Sequence, residues 1–126
     1  MMIPESTRRG RQAYPRERAR MTIVNRGRYF YYFGSVGATE AISEWPFGAL
    51  IAWETDSNGR PHTMHLKQAL DGGGRRLRKY NGDRPYLSIP TSAIGLAVGP
   101  RSQFVEEIEI SPNAILVRLP FEFRPR

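Results

Sequence analysis

The sequence predicts a mainly β protein, a small antiparallel barrel or sandwich with at most one or two short helices. Three observations predict it: short apolar and aromatic runs recur along the chain, clusters of Gly, Pro, Asn and Asp separate them, and the last run alternates apolar with polar side chains. The chain of 126 residues has room for one core. We expect a disordered basic arm at 1–20 and a single β-rich domain at 21–126.

The first predicted hairpin is rich in aromatic residues. Residues 21–25 form its first strand, the sequence Asn-Arg-Gly-Arg at 25–28 forms its turn, and the run Tyr-Phe-Tyr-Tyr-Phe at 29–33 forms its second strand. Alternation puts the odd-numbered rings on one face of that strand and the even-numbered rings on the other. Because five consecutive rings cannot all point inward, one face has to meet a partner, another layer or water.

The middle of the chain predicts one helix and a further hairpin. Residues 38–45 form the best helix candidate, with Thr39 as its cap and Pro46 as its end. Strands at 48–55 and 62–66 flank an Asn-Gly turn, which favours a tight connection between antiparallel strands.

Two short strands and two long ones complete the predicted fold. Residues 68–74 end in three glycines, which we interpret as a flexible hinge, and the short strands follow at 77–80 and 86–89. The long strands are predicted at 104–110 and 114–123. In the last strand one face is apolar throughout: Ile115, Val117, Leu119, Phe121 and Phe123.

Arginine dominates the charge of the chain, with seventeen arginines against two lysines and a formal net charge of +7. Guanidinium groups match phosphate geometry and stack on bases, so clusters of them predict a polyanionic partner. The alternatives are a solubilising leader and a solvated hairpin tip. The first cluster contains Arg8, Arg9, Arg11, Arg16, Arg18 and Arg20; the second contains Arg75, Arg76, Arg78 and Lys79, with Tyr80 as a neighbouring ring.

The aromatic run has two interpretations. It can serve as a platform on which bases stack, with Arg26 and Arg28 beside it. It can instead fill the core and a homodimer interface, which is the interpretation we favour, because a small body encloses only part of its ring surface. The expected interface consists of Tyr29, Tyr31, Phe33, Phe121 and Phe123.

Several classes of function lack their signature. The chain has no cysteine, and His62 and His65 point to opposite faces of their predicted strand, so we expect no metal site and no cofactor. We interpret the acidic residues Glu106, Glu107 and Glu109 as a solvated face rather than an acid–base pair. No catalytic constellation or membrane span is recognisable. We therefore expect a non-enzymatic protein without a membrane partner, in the cytoplasm or, if viral, in the virion.

A weaker pattern lies in the C-terminal third. Gly82 and Arg84 precede a Leu-Ser-Ile-Pro strand, Gly-Leu at 95–96 and Gly99 follow, and a hairpin comes last. In the order of these motifs, residues 82–119 resemble the swapped-hairpin DNA-binding fold of AbrB/SpoVT-type regulators. The interval between Ile-Pro and Gly-Leu is shorter here than that family usually has. That resemblance implies an intertwined homodimer with Arg84 near DNA.

Two hypotheses for the function follow. The leading one is a non-catalytic nucleic-acid-binding protein, in which the arm and the basic residues 75–79 contact phosphates. The alternative is a structural or assembly protein, such as a small virion or scaffold subunit, whose arm neutralises a polyanion. Whether the nucleic acid is DNA or RNA, single- or double-stranded, is left open.

Overall fold

The computed structural model describes residues 18–79 and 84–123. This part of the chain is mainly β and its sheets are antiparallel, so the predicted fold class is confirmed. The described sheets do not close into a barrel, so the barrel alternative is wrong. Most of the predicted arm lies outside the described residues. The predictions for Arg8, Arg9, Arg11, Arg16 and Tyr80 therefore stay predictions.

The described part begins with the predicted aromatic hairpin. Strand β1 (Arg20–Val24) pairs with β2 (Tyr29–Phe33) across a single 3-10 turn, Asn25–Gly27. All three turn residues have φ between 52° and 85°, a region that asparagine and glycine adopt more readily than arginine. Thr91 secures the turn, since its buried hydroxyl donates to the Gly27 carbonyl oxygen over 2.6 Å.

Helix α1 (Val36–Ser43) follows, starting two residues earlier than predicted. Ser35 has extended backbone and its Oγ accepts a hydrogen bond from the Ala38 N–H over 3.2 Å, so Ser35 caps the helix. The prediction of Thr39 as the cap is wrong, because Thr39 lies within the first turns and donates instead to the Gly34 carbonyl oxygen. No helix among the described residues is long and apolar enough to cross a bilayer.

Nine strands follow the helix within the described ranges. In chain order they are β3 (Ala49–Thr55), β4 (Pro61–Gln68), β5 (Arg78–Lys79), β6 (Pro85–Pro90), β7 (Ala97–Val98), β8 (Ser102–Phe104), β9 (Glu106–Ile110), β10 (Ala114–Arg118) and β11 (Glu122–Phe123). Sheet I has the order β5-β6-β2-β1-β8, sheet II has the order β9-β10-β4-β3, and β11 and β7 form a two-stranded ribbon. The hairpin predicted around the Asn-Gly turn is confirmed as β3–β4.

Both long C-terminal strands predicted from the sequence are divided. The first becomes β8 in sheet I and β9 in sheet II, with buried Val105 between them. The second becomes β10 and β11, separated at Pro120, which has no N–H to donate to a ladder. The alternation itself is confirmed, because the five residues predicted to share an apolar face are all buried.

One core contains residues from the inner faces of both sheets. Phe30 enters it from β2, and Phe121 stacks on Phe30 with ring centroids 5.2 Å apart and planes 11° apart. Phe123 meets the same ring edge-on at 5.2 Å. Phe121 and Phe123 are thus core residues of the single chain, which corrects their assignment to a dimer interface. An alternating pattern predicts that a ring is buried, but not which surface buries it.

Candidate functional site

The outer face of sheet I, turned away from the core, carries aromatic and basic side chains in rows across the strands. Residues paired across an antiparallel ladder project from the same face of a sheet. The odd-numbered rings of β2 lie on this face, and their exposure falls from 37% for Tyr29 to 7% for Phe33. The rows are Arg78, Tyr86, Phe33 and Arg20; then Ser88, Tyr31 and Thr22; then Pro90, Tyr29 and Val24.

A groove of about 820 Å³ opens beside the exposed end of this face. Tyr29, Tyr31 and Ser88 line it from the sheet. The basic segment, which we define as residues 75–79, lines it with its three arginines: Arg75, Arg76 and Arg78. Two of the five candidate interface rings and the three arginines of the second cluster therefore meet in one concave surface. We call this surface the main groove.

Two smaller grooves adjoin the main groove at the hairpin turn. One of about 440 Å³ contains Arg28, the other of about 500 Å³ contains Arg26 and Arg101, and Asn25 lines all three. None of the residues lining the three grooves is acidic. Asp71 stands just outside the lining, where its carboxylate accepts a hydrogen bond from the Gly73 N–H over 3.3 Å. The end of sheet I around the turn thus combines concave shape with a lining that contains arginines and no carboxylate, which suits an anion.

The basic segment is fixed to the body of the protein where it begins. Arg75 and Ala49 exchange two backbone hydrogen bonds of 2.8 Å. This approach needs glycine twice: a Cβ on Gly48 would overlap the Arg75 carbonyl, and one on Gly74 would overlap the Phe47 carbonyl. The three glycines are therefore not a free hinge, as the sequence suggested, because Gly74 is required for close packing. Arg75 also donates from Nη1 to the Ser88 carbonyl oxygen over 3.3 Å.

Three other predicted binding residues are engaged within the chain. The Arg20 and Arg84 guanidinium carbons lie 5.0 and 5.6 Å from the centroid of the Phe33 ring. Arg84 also donates from Nη2 to the carbonyl oxygens of Arg18 and Gly34, over 2.8 and 2.9 Å. The Arg18 guanidinium lies over another ring, 3.9 Å from its centroid. We call Arg18, Arg20 and Arg84 the anchored arginines, since they cover rings and join segments of the chain.

A buried phenol and a carboxylate connect the two sheets near the anchored arginines. The Tyr32 hydroxyl donates to Glu107 Oε2, which also accepts the Ser35 N–H over 3.1 Å. Burial, and then the Glu107 charge, raise the pKa of Tyr32 well above its usual value, while Arg84 acts in the opposite direction. The prediction that Glu107 belongs to a solvated face is wrong. A register shift between Glu107 and Glu109 breaks the alternation on which that prediction rested.

Two of the acidic side chains of sheet II are paired with a histidine or an arginine. Glu106 lies 3.3 Å from Arg118, and Glu54 lies 3.0 Å from His65, whose hydrogen bond lowers the pKa of the Glu54 carboxyl. Among residues 18–79 and 84–123, no group of three His, Cys, Asp or Glu side chains is placed to hold a metal ion. The strands of sheet II therefore carry more acidic than basic side chains, whereas the grooves beside sheet I are lined by arginines.

Several residues of the grooves were not found from the sequence. Arg101 is an isolated cation after a Gly-Pro pair, and Ser88 and Asn25 are small polar residues in a strand and a turn. A cluster-based search has no reason to select single residues of this kind. Among the predicted binding residues that the structure describes, four line none of the three grooves: Lys79, which is paired with Pro85, and the anchored arginines Arg18, Arg20 and Arg84.

The chain shows no match to known proteins that would assign a role to these grooves. No protein family, curated protein or solved structure matches it. The resemblance of residues 82–119 to AbrB/SpoVT-type regulators stays a prediction.

Proposed function

We propose that the protein is a non-catalytic nucleic-acid-binding protein. One observation carries this proposal: Arg75, Arg76 and Arg78 line the same groove as Tyr29 and Tyr31. Guanidinium groups bind phosphates, and phenol rings offer faces on which bases stack. A solvated hairpin tip explains the arginines alone, but it gives no reason for two tyrosines to line the same groove.

The charge distribution supports the same proposal. Arg26, Arg28 and Arg101 extend the positive surface into the adjoining grooves, whose lining contains no carboxylate. A nucleic-acid backbone that follows these grooves meets cations without crossing the acidic residues of β9. In this proposal the arm adds further phosphate contacts through its own arginines, and the arm and the grooves together raise affinity by acting on one ligand.

Binding of labelled duplex DNA, single-stranded DNA and RNA, measured by fluorescence anisotropy at about 50 and about 200 mM salt, tests the proposal. The full chain should bind at least one of these ligands, and affinity should fall steeply with salt. Failure to bind any of the three at the lower salt concentration overturns the proposal.

A matched pair of triple variants separates position from net charge. The groove variant combines Arg75→Gln, Arg76→Gln and Arg78→Gln. The control combines Lys67→Gln and Arg118→Gln on sheet II with Arg60→Gln in the turn that precedes β4. Both remove three positive charges. We expect the groove variant to lose about 100-fold in affinity and the control about threefold or less. Equal losses would mean that total charge, and not the groove, determines binding.

A second candidate function is an assembly subunit, and one observation favours it. Val36, Ile108 and Ile110 are 53%, 43% and 43% exposed, and α1 contacts β9, an edge strand of sheet II among the described residues. Exposed apolar patches of this kind often mark contacts between proteins, although the β9 register shift weakens edge pairing. A homodimer formed there would carry two main grooves on one assembly.

Sedimentation over a range of protein concentrations tests this candidate. A dimer or larger species should dissociate in the Ile108→Glu variant, whereas Leu70→Glu, at a residue that is 86% exposed elsewhere, should leave the assembly unchanged. A wild-type chain that sediments as a monomer at high micromolar concentration removes the candidate.

A further inference from the structure

We infer that the main groove takes a single strand of nucleic acid with its bases unstacked from one another, resting on Tyr29 and Tyr31. This inference rests on the proposed function and specifies its ligand. Three features carry it: the spacing of the two rings, the alignment of the arginines beside them, and the lack of basic residues on the helix.

The ring spacing suits separated bases. Tyr29 and Tyr31 lie two residues apart on β2 and line the same groove, and at about 3.3 Å per residue their attachment points are about 7 Å apart. The Tyr31 ring also packs against Tyr86 with centroids 4.4 Å apart, so Tyr31 can offer a base only the part of its ring that lines the groove. Bases stacked within a duplex are about 3.4 Å apart along one strand. Rings at twice that spacing can each receive one base only when the bases have been drawn apart, which an extended single strand allows and a duplex does not.

The arginines run parallel to the rings. Arg78 pairs with Tyr86 on β6, and the basic segment proceeds antiparallel to β6 from there towards Ser88, which pairs with Tyr31. Arg76 and Arg78, also two residues apart, therefore follow the direction of β2 at the edge of the sheet. A strand lying in the groove can place successive phosphates towards the basic segment and successive bases towards the rings.

Duplex recognition has no counterpart within the described residues. Proteins that read duplex DNA commonly insert a helix into the major groove, with basic side chains facing the phosphates. The only α-helix of the described ranges, α1, contains no lysine or arginine, carries Glu40, and contacts sheet II rather than the grooves. The positive concave surface with its rings is on sheet I, where a single strand fits.

The test compares ligands and variants in the full chain. Labelled single strands of about twelve nucleotides, both DNA and RNA, are titrated beside the matching DNA duplex at one salt concentration. We expect at least one single strand to bind about tenfold more tightly than the duplex. The DNA and RNA arms distinguish the two sources of the same chemistry.

The variants separate stacking from charge. Tyr29→Leu and Tyr31→Leu should each weaken single-strand binding about tenfold while the dependence on salt stays unchanged, since no phosphate contact is lost. Arg76→Gln should weaken binding and lower the log–log salt slope by about 0.7, as expected for one phosphate. Phe47→Leu is the control, because it replaces a ring that is 40% exposed and lies outside the lining of the main groove. It should leave the affinity for the single strand unchanged.

Cross-linking gives a readout that does not depend on variants folding. A single strand containing 5-iodouracil, bound to the wild-type chain and irradiated, should attach to the peptide that contains Tyr29 or Tyr31. The inference is overturned if the cross-link maps elsewhere, if the tyrosine variants bind as tightly as the wild type, or if the duplex binds best. If Arg76→Gln still weakens binding in those cases, the proposed nucleic-acid-binding function stands although the single-strand inference is wrong. If the chain binds none of the nucleic acids, the inference and the proposed function are both wrong.

Discussion

The anchored arginines and the arginines of the main groove belong to the same residue type but differ in what surrounds them. Arg84 donates to two backbone carbonyl oxygens and lies over Phe33, and Arg20 covers the same ring. Arg76 and Arg78 are exposed, and they line an 820 Å³ groove with tyrosines and no carboxylate. The first group joins parts of the chain, whereas the second faces a space that a ligand can enter.

This difference teaches that the number of arginines in a sequence cluster does not show which of them pack against the rest of the chain. Arg18 and Arg20 belong to the larger cluster, yet in the structure they pack against rings. A guanidinium has an apolar face and five N–H donors. It can therefore stack on a ring and donate to carbonyl oxygens within the chain as readily as it binds a phosphate. The Arg76 and Arg78 side chains are exposed to solvent. The backbone of their segment is held in place by the two hydrogen bonds between Arg75 and Ala49.

Removing the attachment of the basic segment should produce the largest effect. Gly48→Ala adds a Cβ that would overlap the Arg75 carbonyl at a residue with φ of +80°, so we expect a loss of about 3 kcal/mol in the free energy of unfolding. Urea denaturation measures it. Gly72→Ala is the control, since nothing lies within 4 Å of its Cβ, and it should change the value by less than about 0.5 kcal/mol. Similar values for both variants would mean that the segment is not fixed there.

Exchanging an anchored arginine for an apolar residue should destabilise the fold, and exchanging a groove arginine should not. Arg84→Met keeps an apolar stem over Phe33 but removes two charge-assisted hydrogen bonds, which should cost about 2–3 kcal/mol. Arg76→Met should stay within about 0.5 kcal/mol of the wild type in the same urea titration. The comparison fails if both substitutions destabilise the protein equally.

Alkaline pH should lower the stability of the protein through Tyr32, which lies near the anchored arginines. Its pKa is raised in the folded state, so above about pH 10 the unfolded chain releases a proton that the folded chain keeps, and stability falls by up to about 1.4 kcal/mol per pH unit. Stability from this group is fully present below the unfolded pKa. Tyr32→Phe should lower stability by about 1 kcal/mol at neutral pH and remove this slope. Parallel stability curves for the two proteins would contradict the prediction.

The smallest expected effect on stability belongs to the groove. Replacing Arg75, Arg76 and Arg78 together with glutamine should change the free energy of unfolding by less than about 1 kcal/mol, because these side chains are exposed and lose mutual repulsion together with one exposed hydrogen bond, from Arg75 to the Ser88 carbonyl oxygen. Thermal unfolding with and without added salt measures it, and salt should narrow the gap to the wild type. A large loss would assign these arginines to the anchored group.

Much of the fold followed from local patterns. The first hairpin, the Asn-Gly hairpin and the apolar face of the last strands were predicted because alternation and turn residues act over short distances in the sequence. The division of the two long strands was not predicted. Whether a strand continues past Val105 or Pro120 depends on which sheet the next residues join, and that choice is made by pairing with distant strands.

The sequence by itself determined the β class, the inward and outward sides of β2, and the identity of the second arginine cluster. Tertiary structure alone decided which rings are buried, which arginines are anchored, and that Arg101 and Ser88 line the grooves beside Tyr29. The physical reason is that a strand pattern fixes the direction of a side chain, whereas its neighbours come from residues far away in the chain. Phe121 and Phe33 show this plainly, since one meets Phe30 and the other meets Tyr86.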